Sequence, residues 1–139
     1  MRLVLDTNVV VAALLWAGAP RRLLDLAIDE AVTLCSSPAL LDELARTLSY
    51  AKLARRIKGL GTDPAALAAH YAALVRLVSP AQVPRVIEND ADDDQVLACA
   101  VAGRADLIVS GDKHLLSLGG HYSGIAIVTP AQALQQIGR

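Results

Sequence analysis

Four acidic residues stand next to predicted strands, at positions where a parallel sheet would bring them together. Asp6 directly follows the apolar stretch 2–5, and Asp112 follows a second apolar stretch about a hundred residues later. Asp94 begins a predicted helix eighteen residues before Asp112, and Glu43 lies two turns into the helix that follows the second predicted strand. Ligands of open parallel sheets bind outside the carboxyl ends of the strands. We therefore expect all four carboxylates at one edge of the sheet.

Several carboxylates at one point repel each other, because each negative charge raises the pKa of its neighbours. Lys113 is the only cationic residue in these motifs, so a divalent cation is the simplest neutralising partner. An all-oxygen ligand set favours Mg²⁺ or Mn²⁺ over zinc. Such ions bind phosphates, activate water and stabilise displacement at phosphorus. The predicted chemistry is metal-dependent hydrolysis of phosphodiester bonds, which needs no histidine base.

The elements that would position these residues alternate between short apolar runs and longer helical patterns, which is typical of a parallel α/β sheet. We predict a three-layer α/β/α sandwich with a central parallel sheet and a helical insertion, forming a single domain over residues 1–139. No strand is predicted between residues 50 and 78, and a loop with one edge strand is expected around 80–88. The strands are predicted at 2–5, 32–35, 107–109 and 125–128. The first three helices are predicted at 7–15, after Pro20, and at 38–48 with Ser37 as the cap. A fourth helix ends near Lys58, and a fifth begins at the start signal 62–64. The last two run from Asp93 or Asp94 to Ala102 and from Thr129 onwards.

The composition supports one folded domain and excludes several classes of protein. The chain has 139 residues, of which 54% are hydrophobic, and a net charge of −1. Cys35 and Cys99 are too few for a disulfide framework or a zinc site. The apolar run 9–17 resembles a signal peptide, but Asp6 and Asn8 interrupt its start, and the run is too short to span a bilayer. We therefore expect a cytoplasmic protein that does not enter a membrane.

A basic segment follows the second predicted strand–helix unit and is a candidate RNA-binding surface. Its cationic residues are Arg46, Lys52, Arg55, Arg56 and Lys58, with no acidic residue between them, and the first four are the candidate RNA contacts. Such a segment could follow an RNA backbone, whereas the alternatives are a solvated helix face or a clamp for an acidic partner. Leaving the four site acids out of the count changes the net charge from −1 to +3. The charge balance is therefore compatible with a nucleic-acid substrate once metal is bound.

Four motifs in this order resemble those of the PIN-domain nucleases, in particular the VapC-type toxins of prokaryotic toxin–antitoxin pairs. The resemblance extends from residue 3 to about residue 130. It implies an Mg²⁺- or Mn²⁺-dependent endoribonuclease in which Asp6, Glu43, Asp94 and Asp112 match the acidic quartet. Small polar positions that help to hold the site are matched by Thr7 or Asn8 and by Ser110. The motifs are residues 3–8, the glutamate within 41–44, the acidic run 92–94, and residues 108–112.

The chain departs from this pattern at His114, where relatives often carry a further acid. Asp90, Asp92 and Asp93 are candidates to compensate, and the sequence does not assign them or decide between one and two metal ions. The resemblance also implies a protein antitoxin as partner and a homodimer. An apolar stripe along residues 65–75 is explained either by core packing or by a groove for a partner's amphipathic helix.

Each acidic position also has a simpler explanation. Asp6 alone could cap the first helix, Glu43 could be a solvated charge, and the run 90–94 could form a polar turn and a helix cap. The stretch 110–112 could be an ordinary strand-to-helix turn. Two other functions stay open at this point. One is a phosphohydrolase or phosphotransfer domain with an aspartyl phosphate at Asp6, and the other is a non-catalytic PIN-like module that only binds a partner.

Overall fold

The computed structural model describes residues 1–80, 91–116, 118 and 120–138, with only the backbone described at 91, 92, 113 and 114. It contains six strands and eight helices within these residues. The strands are β1 (Arg2–Leu5), β2 (Thr33–Ser36), β3 (Arg76–Leu77), β4 (Leu107–Val109), β5 (His121–Tyr122) and β6 (Ile125–Val128). The helices are α1 (Thr7–Leu15), α2 (Ala19–Ile28), α3 (Pro38–Leu48), α4 (Ala51–Gly59), α5 (Pro64–Leu74), α6 (Ala91–Ala102), α7 (Lys113–Leu116) and α8 (Pro130–Ile137).

The strands form one sheet in the order β3-β2-β1-β4-β6-β5. All neighbouring strands run parallel except β5, which pairs antiparallel with β6. In the centre of the sheet, Val4 of β1 lies between Cys35 of β2 and Ile108 of β4. The carboxyl ends of β1 and β4 are therefore adjacent, as the sequence analysis requires for Asp6 and Asp112.

Helices cover both faces of the sheet because successive residues of each strand point to opposite sides. Leu3 and Leu5 of β1 belong to a core with α1, α2 and α3, whereas Val4 belongs to a second core with α6. Both cores contain completely buried aliphatic side chains, such as Leu15 and Leu97. This arrangement confirms the predicted α/β fold with a mostly parallel sheet between helices.

Local capping signals determine where several helices begin. The Ser37 hydroxyl accepts a hydrogen bond from the Leu40 N–H at 3.3 Å, at the start of α3. Asp63 accepts from the Ala66 N–H at 2.8 Å, at the start of α5. Thr129 and Gln132 form a reciprocal capping box at the start of α8. These interactions involve residues three apart, and for this reason they are visible in the sequence.

Two short strands were missed, and one of them contradicts the prediction of no strand between residues 50 and 78. Strand β3 has only two residues, and both of its side chains are exposed, so no apolar period marks it. Strand β5 is joined to β6 by Ser123 and Gly124, which have φ values of 49° and 77°. Positive φ at both central residues suits a tight hairpin. The sheet therefore has one antiparallel edge strand that the prediction of a parallel sheet did not include.

Two boundaries also differ from those predicted. Helix α6 begins at Ala91, rather than at Asp93 or Asp94, so both aspartates lie inside its first turn. The edge strand expected around 80–88 falls largely on residues 81–90, which lie outside the described residues. Within the described residues, no helix is both long enough and apolar enough to cross a lipid bilayer.

Candidate metal centre

Asp6 links the central strand β1 to helix α1. Its backbone N–H donates to the Val109 carbonyl of β4 at 2.9 Å, and its own carbonyl accepts from the N–H groups of Val9 and Val10. Asp6 has extended backbone angles and occupies the position before the first residue of α1, but its side chain makes no capping hydrogen bond. The interpretation of Asp6 as a simple helix cap is therefore wrong. The carboxylate is 5% exposed and points to neighbouring polar groups instead.

Ser110 connects Asp6 to Asp112. The Ser110 hydroxyl donates to Oδ2 of Asp6 at 2.9 Å and accepts from the Asp112 N–H, also at 2.9 Å. Ser110 is completely buried, and its own N–H donates to the Val128 carbonyl of β6. The turn 110–112 is thus more than an ordinary loop, because a single hydroxyl joins the two acidic residues at the ends of β1 and β4.

Asp93 reaches the same point from the first turn of α6. Residues three, four and seven positions further along this helix are Val96, Leu97 and Ala100, and all three are fully buried against the sheet. Helical periodicity places Asp93 on that same inward face. One carboxylate oxygen each from Asp6, Asp93 and Asp112 lie within 4.8 Å of one another. The three aspartates form the carboxylate cluster of this protein.

The donor set of the carboxylate cluster fits a hard divalent cation. All three ligands are carboxylate oxygens, and Asp6 and Asp93 are buried while Asp112 is half-buried. Two like charges at this separation repel by on the order of 3 kcal/mol at an effective dielectric constant of about 20. Bringing three together is therefore unfavourable without a positive charge between them. The cluster has the composition of a site that binds a metal ion through oxygen.

The other predicted site residues are not members of this cluster. Asp94 is buried beside Asp93, with 1% exposure, but is not one of the three clustered carboxylates. Glu43 is half-buried on α3, where its carbonyl accepts from the Thr47 hydroxyl, and it also lies outside the cluster. Thr7 is buried next to Asp6, and Asn8 is exposed.

The remaining acidic candidates and His114 cannot be placed in the same way. Asp90 lies outside the described residues, as do the side chains of Asp92 and His114. Asp93 was only one of three unassigned acids in the sequence analysis. The signal that singles it out is its spacing of three, four and seven residues from the fully apolar positions of α6.

The family profile described as "PIN domain" matches residues 2–114, which include all three clustered aspartates. This protein belongs to the PIN domain family. Its sequence is 29% identical over 119 residues to the uncharacterised protein MJ1680 of Methanocaldococcus jannaschii, a match that covers 85% of this chain and 75% of that protein.

Solved structures with the same fold extend over nearly the whole PIN domain. A chain of VapBC2 from Rickettsia felis, which was solved bound to a DNA fragment from its promoter, superposes with a TM-score of 0.62 at 15% identity, covering 91% of this chain and 97% of that one. A chain of FitAcB from Neisseria gonorrhoeae gives 0.59 at 19% identity, with 93% and 98% coverage. PAE2754 from Pyrobaculum aerophilum gives 0.59 at 16% identity, with 99% and 88% coverage. At these identities the similarity concerns the fold.

Two of the predicted RNA-binding cations of this PIN domain contact aromatic rings. The ammonium group of Lys52 lies 5.9 Å from the centre of the Tyr50 ring. The guanidinium of Arg56 lies 5.7 Å from the centre of the Trp16 ring, and its Nε donates to the Leu15 carbonyl at 2.8 Å. Arg56 therefore ties α4 to the end of α1. Arg46 and Arg55 are exposed.

An apolar cavity of about 420 Å³ lies between α1, α2 and α5 of the PIN domain. It includes Leu67 and Leu74 of the apolar stripe on α5, together with Leu14 and Leu24 from the facing helices. Leu67 packs in the core, whereas Ala65 and Ala72 of the same stripe are exposed. The stripe thus contributes both to the core and to a surface groove.

Proposed function

We propose that this PIN domain is a metal-dependent endoribonuclease that hydrolyses RNA phosphodiester bonds with Mg²⁺ or Mn²⁺, acting as the toxin of a toxin–antitoxin pair. The observation that supports the activity is the meeting of three aspartate oxygens within 4.8 Å at the carboxyl end of the sheet. Membership of the PIN domain family supports the same reaction class. We treat residues 1–139 as one domain.

In the proposed chemistry, the carboxylates bind the metal ion, and neighbouring groups hold the carboxylates in position. A divalent ion bound there would supply positive charge for the scissile phosphate and lower the pKa of water. Asp6, Asp93 and Asp112 would hold it. The Ser110 hydroxyl orients the Asp6 carboxylate and holds the Asp112 backbone, so one buried side chain connects the two proposed ligands.

Asp94 and Glu43 keep the roles that the family resemblance implies, as proposals. Asp94 is adjacent to a clustered ligand and is buried, which a simple solvated charge would not be. Glu43 lies on α3, which packs against both α1 and α6. Helix α1 directly follows Asp6, and α6 carries Asp93 in its first turn. In this arrangement, Glu43 would ligate the metal or orient the attacking water.

The proposal is tested by incubating purified protein and a defined set of RNAs with Mg²⁺, Mn²⁺ or EDTA. We expect discrete fragments that require metal, and a loss of at least about 100-fold in Asp6→Asn and Asp112→Asn, because each substitution removes a charged ligand. Asp29→Asn, an exposed aspartate on the far end of α2, is the matched control and should cleave like the wild type. Full cleavage by both ligand variants would overturn the site.

The same assay, combined with a measurement of metal binding, shows which of the neighbouring acidic residues are metal ligands. Asp93→Asn should lose both cleavage and the rise in unfolding midpoint that excess Mn²⁺ produces in the wild type. Asp94→Asn and Glu43→Gln should lose cleavage, and the Mn²⁺ effect shows whether each is a ligand. If Asp93→Asn responds to Mn²⁺ like the wild type while Asp94→Asn does not, the ligand from α6 is Asp94.

The proposed RNA contacts are Arg46, Lys52, Arg55 and Arg56. Lys52 and Arg56 are four residues apart and so lie on one side of α4, each beside an aromatic ring. Cation–aromatic pairs of this kind suit single-stranded RNA, because the cation can bind a phosphate while the ring stacks on a base. Since Arg56 also binds the Leu15 carbonyl, we expect its substitution to cost stability as well as RNA affinity.

The proposed protein partners are an antitoxin and a second copy of the chain. The resemblance to VapC-type toxins supports the antitoxin, as does the fold shared with chains of VapBC2 and FitAcB. The groove between α1, α2 and α5 has the apolar lining that an amphipathic helix requires.

A further inference from the structure

Three arginines surround a small polar cavity beside the last residues of α6, at the opposite end of this helix from the carboxylate cluster. Arg2 begins β1, Arg76 begins β3, and Arg104 follows α6. The cavity has a volume of about 220 Å³ and is lined by Arg2, Arg76, Val78, Ala102, Gly103 and Arg104. We call this feature the arginine pocket.

The alternation of side chains along the strands explains why these arginines meet. Arg2 lies two residues before Val4, and Val4 is paired with Cys35, which is paired with Arg76. All four therefore lie on the face of the sheet that α6 covers. Burial raises the pKa of the Cys35 thiol, and the positive charges of Arg2 and Arg76 both act in the opposite direction and lower it. Both guanidinium groups therefore lie on the same side of the sheet as the Cys35 thiol and affect its pKa.

The last residue of α6 and the two residues after it form one side of the arginine pocket. The Arg2 guanidinium donates to the Gly103 carbonyl at 3.2 Å, which satisfies a backbone acceptor just past the end of the helix. Arg104 follows with a φ of 51°, at a position where glycine or asparagine usually ends a helix. Its backbone N–H donates to the Val101 carbonyl. An arginine is therefore held in a conformation that its backbone does not favour.

Arg2, Arg76 and Arg104 form no salt bridge within the residues that the structure describes. Asp106 is the acidic residue nearest in sequence to Arg104, and its carboxylate accepts a hydrogen bond from the backbone N–H of Arg2 rather than from a guanidinium. Arg76 and Arg104 are both exposed. Three like charges around one small cavity favour an anion as the occupant.

We propose that the arginine pocket binds a phosphate group. Guanidinium groups present paired donors that match phosphate oxygens, and Arg76 and Arg104 would contact the anion while Arg2 also holds the end of α6. The pocket and the carboxylate cluster lie near opposite ends of α6, and the ten residues from Asp93 to Gly103 span about 15 Å. The pocket is thus a second site, and it does not depend on the proposed nuclease activity.

The test is a titration of the full chain with inorganic phosphate, followed by the backbone amide NMR signals at constant ionic strength, with chloride as the reference salt. We expect saturable shifts at Arg76, Gly103 and Arg104. The double variant Arg76→Gln with Arg104→Asn should bind phosphate at least about tenfold more weakly. Arg22→Gln, which removes an exposed arginine on α2, should bind like the wild type.

The single substitution Arg104→Asn tests whether Arg104 binds phosphate or contributes to the stability of the fold. Asparagine tolerates positive φ better than arginine, so Arg104→Asn alone should keep or raise the unfolding midpoint while it weakens phosphate binding. Shifts that match those with chloride, or a double variant that binds phosphate like the wild type, would overturn the proposal.

The source of the phosphate is distinguished by a second arm with oligouridine RNA in EDTA, where no cleavage occurs. If the pocket binds an RNA phosphate, the double variant should weaken RNA binding and reduce the slope of log affinity against log salt by about 0.7. If RNA affinity and slope stay unchanged while inorganic phosphate binding is lost, the ligand is a free phosphate compound.

Discussion

The Ser110 hydroxyl is the smallest group on which the geometry of the carboxylate cluster depends. It donates to Asp6 and accepts from the Asp112 backbone, at 2.9 Å in both cases, and the side chain is fully buried. An alanine at this position would leave a buried carboxylate oxygen and a backbone N–H without this partner. Groups of this kind orient metal ligands without touching the metal.

Ser110→Ala should therefore reduce both stability and metal affinity. We expect a loss of about 1–3 kcal/mol in the free energy of unfolding, and a loss of about 10- to 100-fold in Mn²⁺ affinity. Urea unfolding and Mn²⁺ titration measure the two effects. Ser49→Ala is the control, because the Ser49 hydroxyl donates to the local Ala45 carbonyl at an exposed position. An unchanged Mn²⁺ affinity in Ser110→Ala would show that the hydroxyl does not position the ligands.

Helix α6 is the element that connects the two ends of the sheet. Its apolar face packs against β1, β2 and β4, and it carries Asp93 at its start. At its other end, Gly103 lies so close to β2 that an added Cβ would stand 3.3 Å from both Cβ and Sγ of Cys35, and 3.2 Å from the Cys99 carbonyl. The close approach of α6 to the sheet thus leaves little room for a side chain at position 103.

Gly103→Ala should destabilise the protein by about 1–3 kcal/mol, because a methyl group has to be forced between α6 and β2. The matched control is Gly59→Ala at the end of α4, where an added Cβ meets nothing within 4 Å. That variant should be neutral or more stable, since alanine favours the helix. Thermal or urea unfolding of the two variants gives the comparison. Equal midpoints for both would contradict the tight contact.

At the scale of the whole molecule, the strand order determines where the carboxylate cluster forms. Strands β1 and β4 are neighbours in the middle of the sheet, and their carboxyl ends carry Asp6 and Asp112. Helices on both faces bury the interior, including both cysteines, which are free thiols. Burial, and to a smaller extent the nearby Cys35, raise the pKa of the Cys99 thiol from 9.0 to about 12.

This burial predicts a dependence of stability on pH. In the unfolded chain Cys99 loses its proton near pH 9, whereas in the folded protein it keeps the proton until about pH 12. The stability from the neutral thiol is fully present below pH 9.0 and is lost as the pH rises towards about 12. The slope approaches about 1.4 kcal/mol per pH unit for one proton.

Urea unfolding in reducing buffer between pH 8 and pH 10 measures this effect. The wild type should lose stability more steeply with pH than Cys99→Ala, which has no thiol to titrate at this position. Since the lysine titrations are common to both proteins, the difference in slope reports the thiol together with its effect on the buried Tyr71 hydroxyl, whose pKa is raised by burial and by Cys99. Parallel curves for the two proteins would contradict the prediction.

Local interactions made much of this fold predictable. The caps at Ser37, Asp63 and Thr129 involve residues three positions apart, and strands such as β1 are continuous apolar runs. Both kinds of signal are contained in a short stretch of chain. Strand β3 was not predictable in this way, because its two exposed residues carry no pattern and it forms only by pairing with β2.

The sequence by itself determined the fold class, the ends of the central strands and the presence of acidic residues at those ends. Only the tertiary structure decided which acids meet. Consecutive residues of a helix point about 100° apart, so the choice between Asp93 and Asp94 depends on how α6 is rotated against the sheet. That rotation is set by the burial of Val96, Leu97 and Ala100 against strands that are distant in the sequence. The arginine pocket has the same origin, since its three cations come from separate elements that meet only after the sheet has formed.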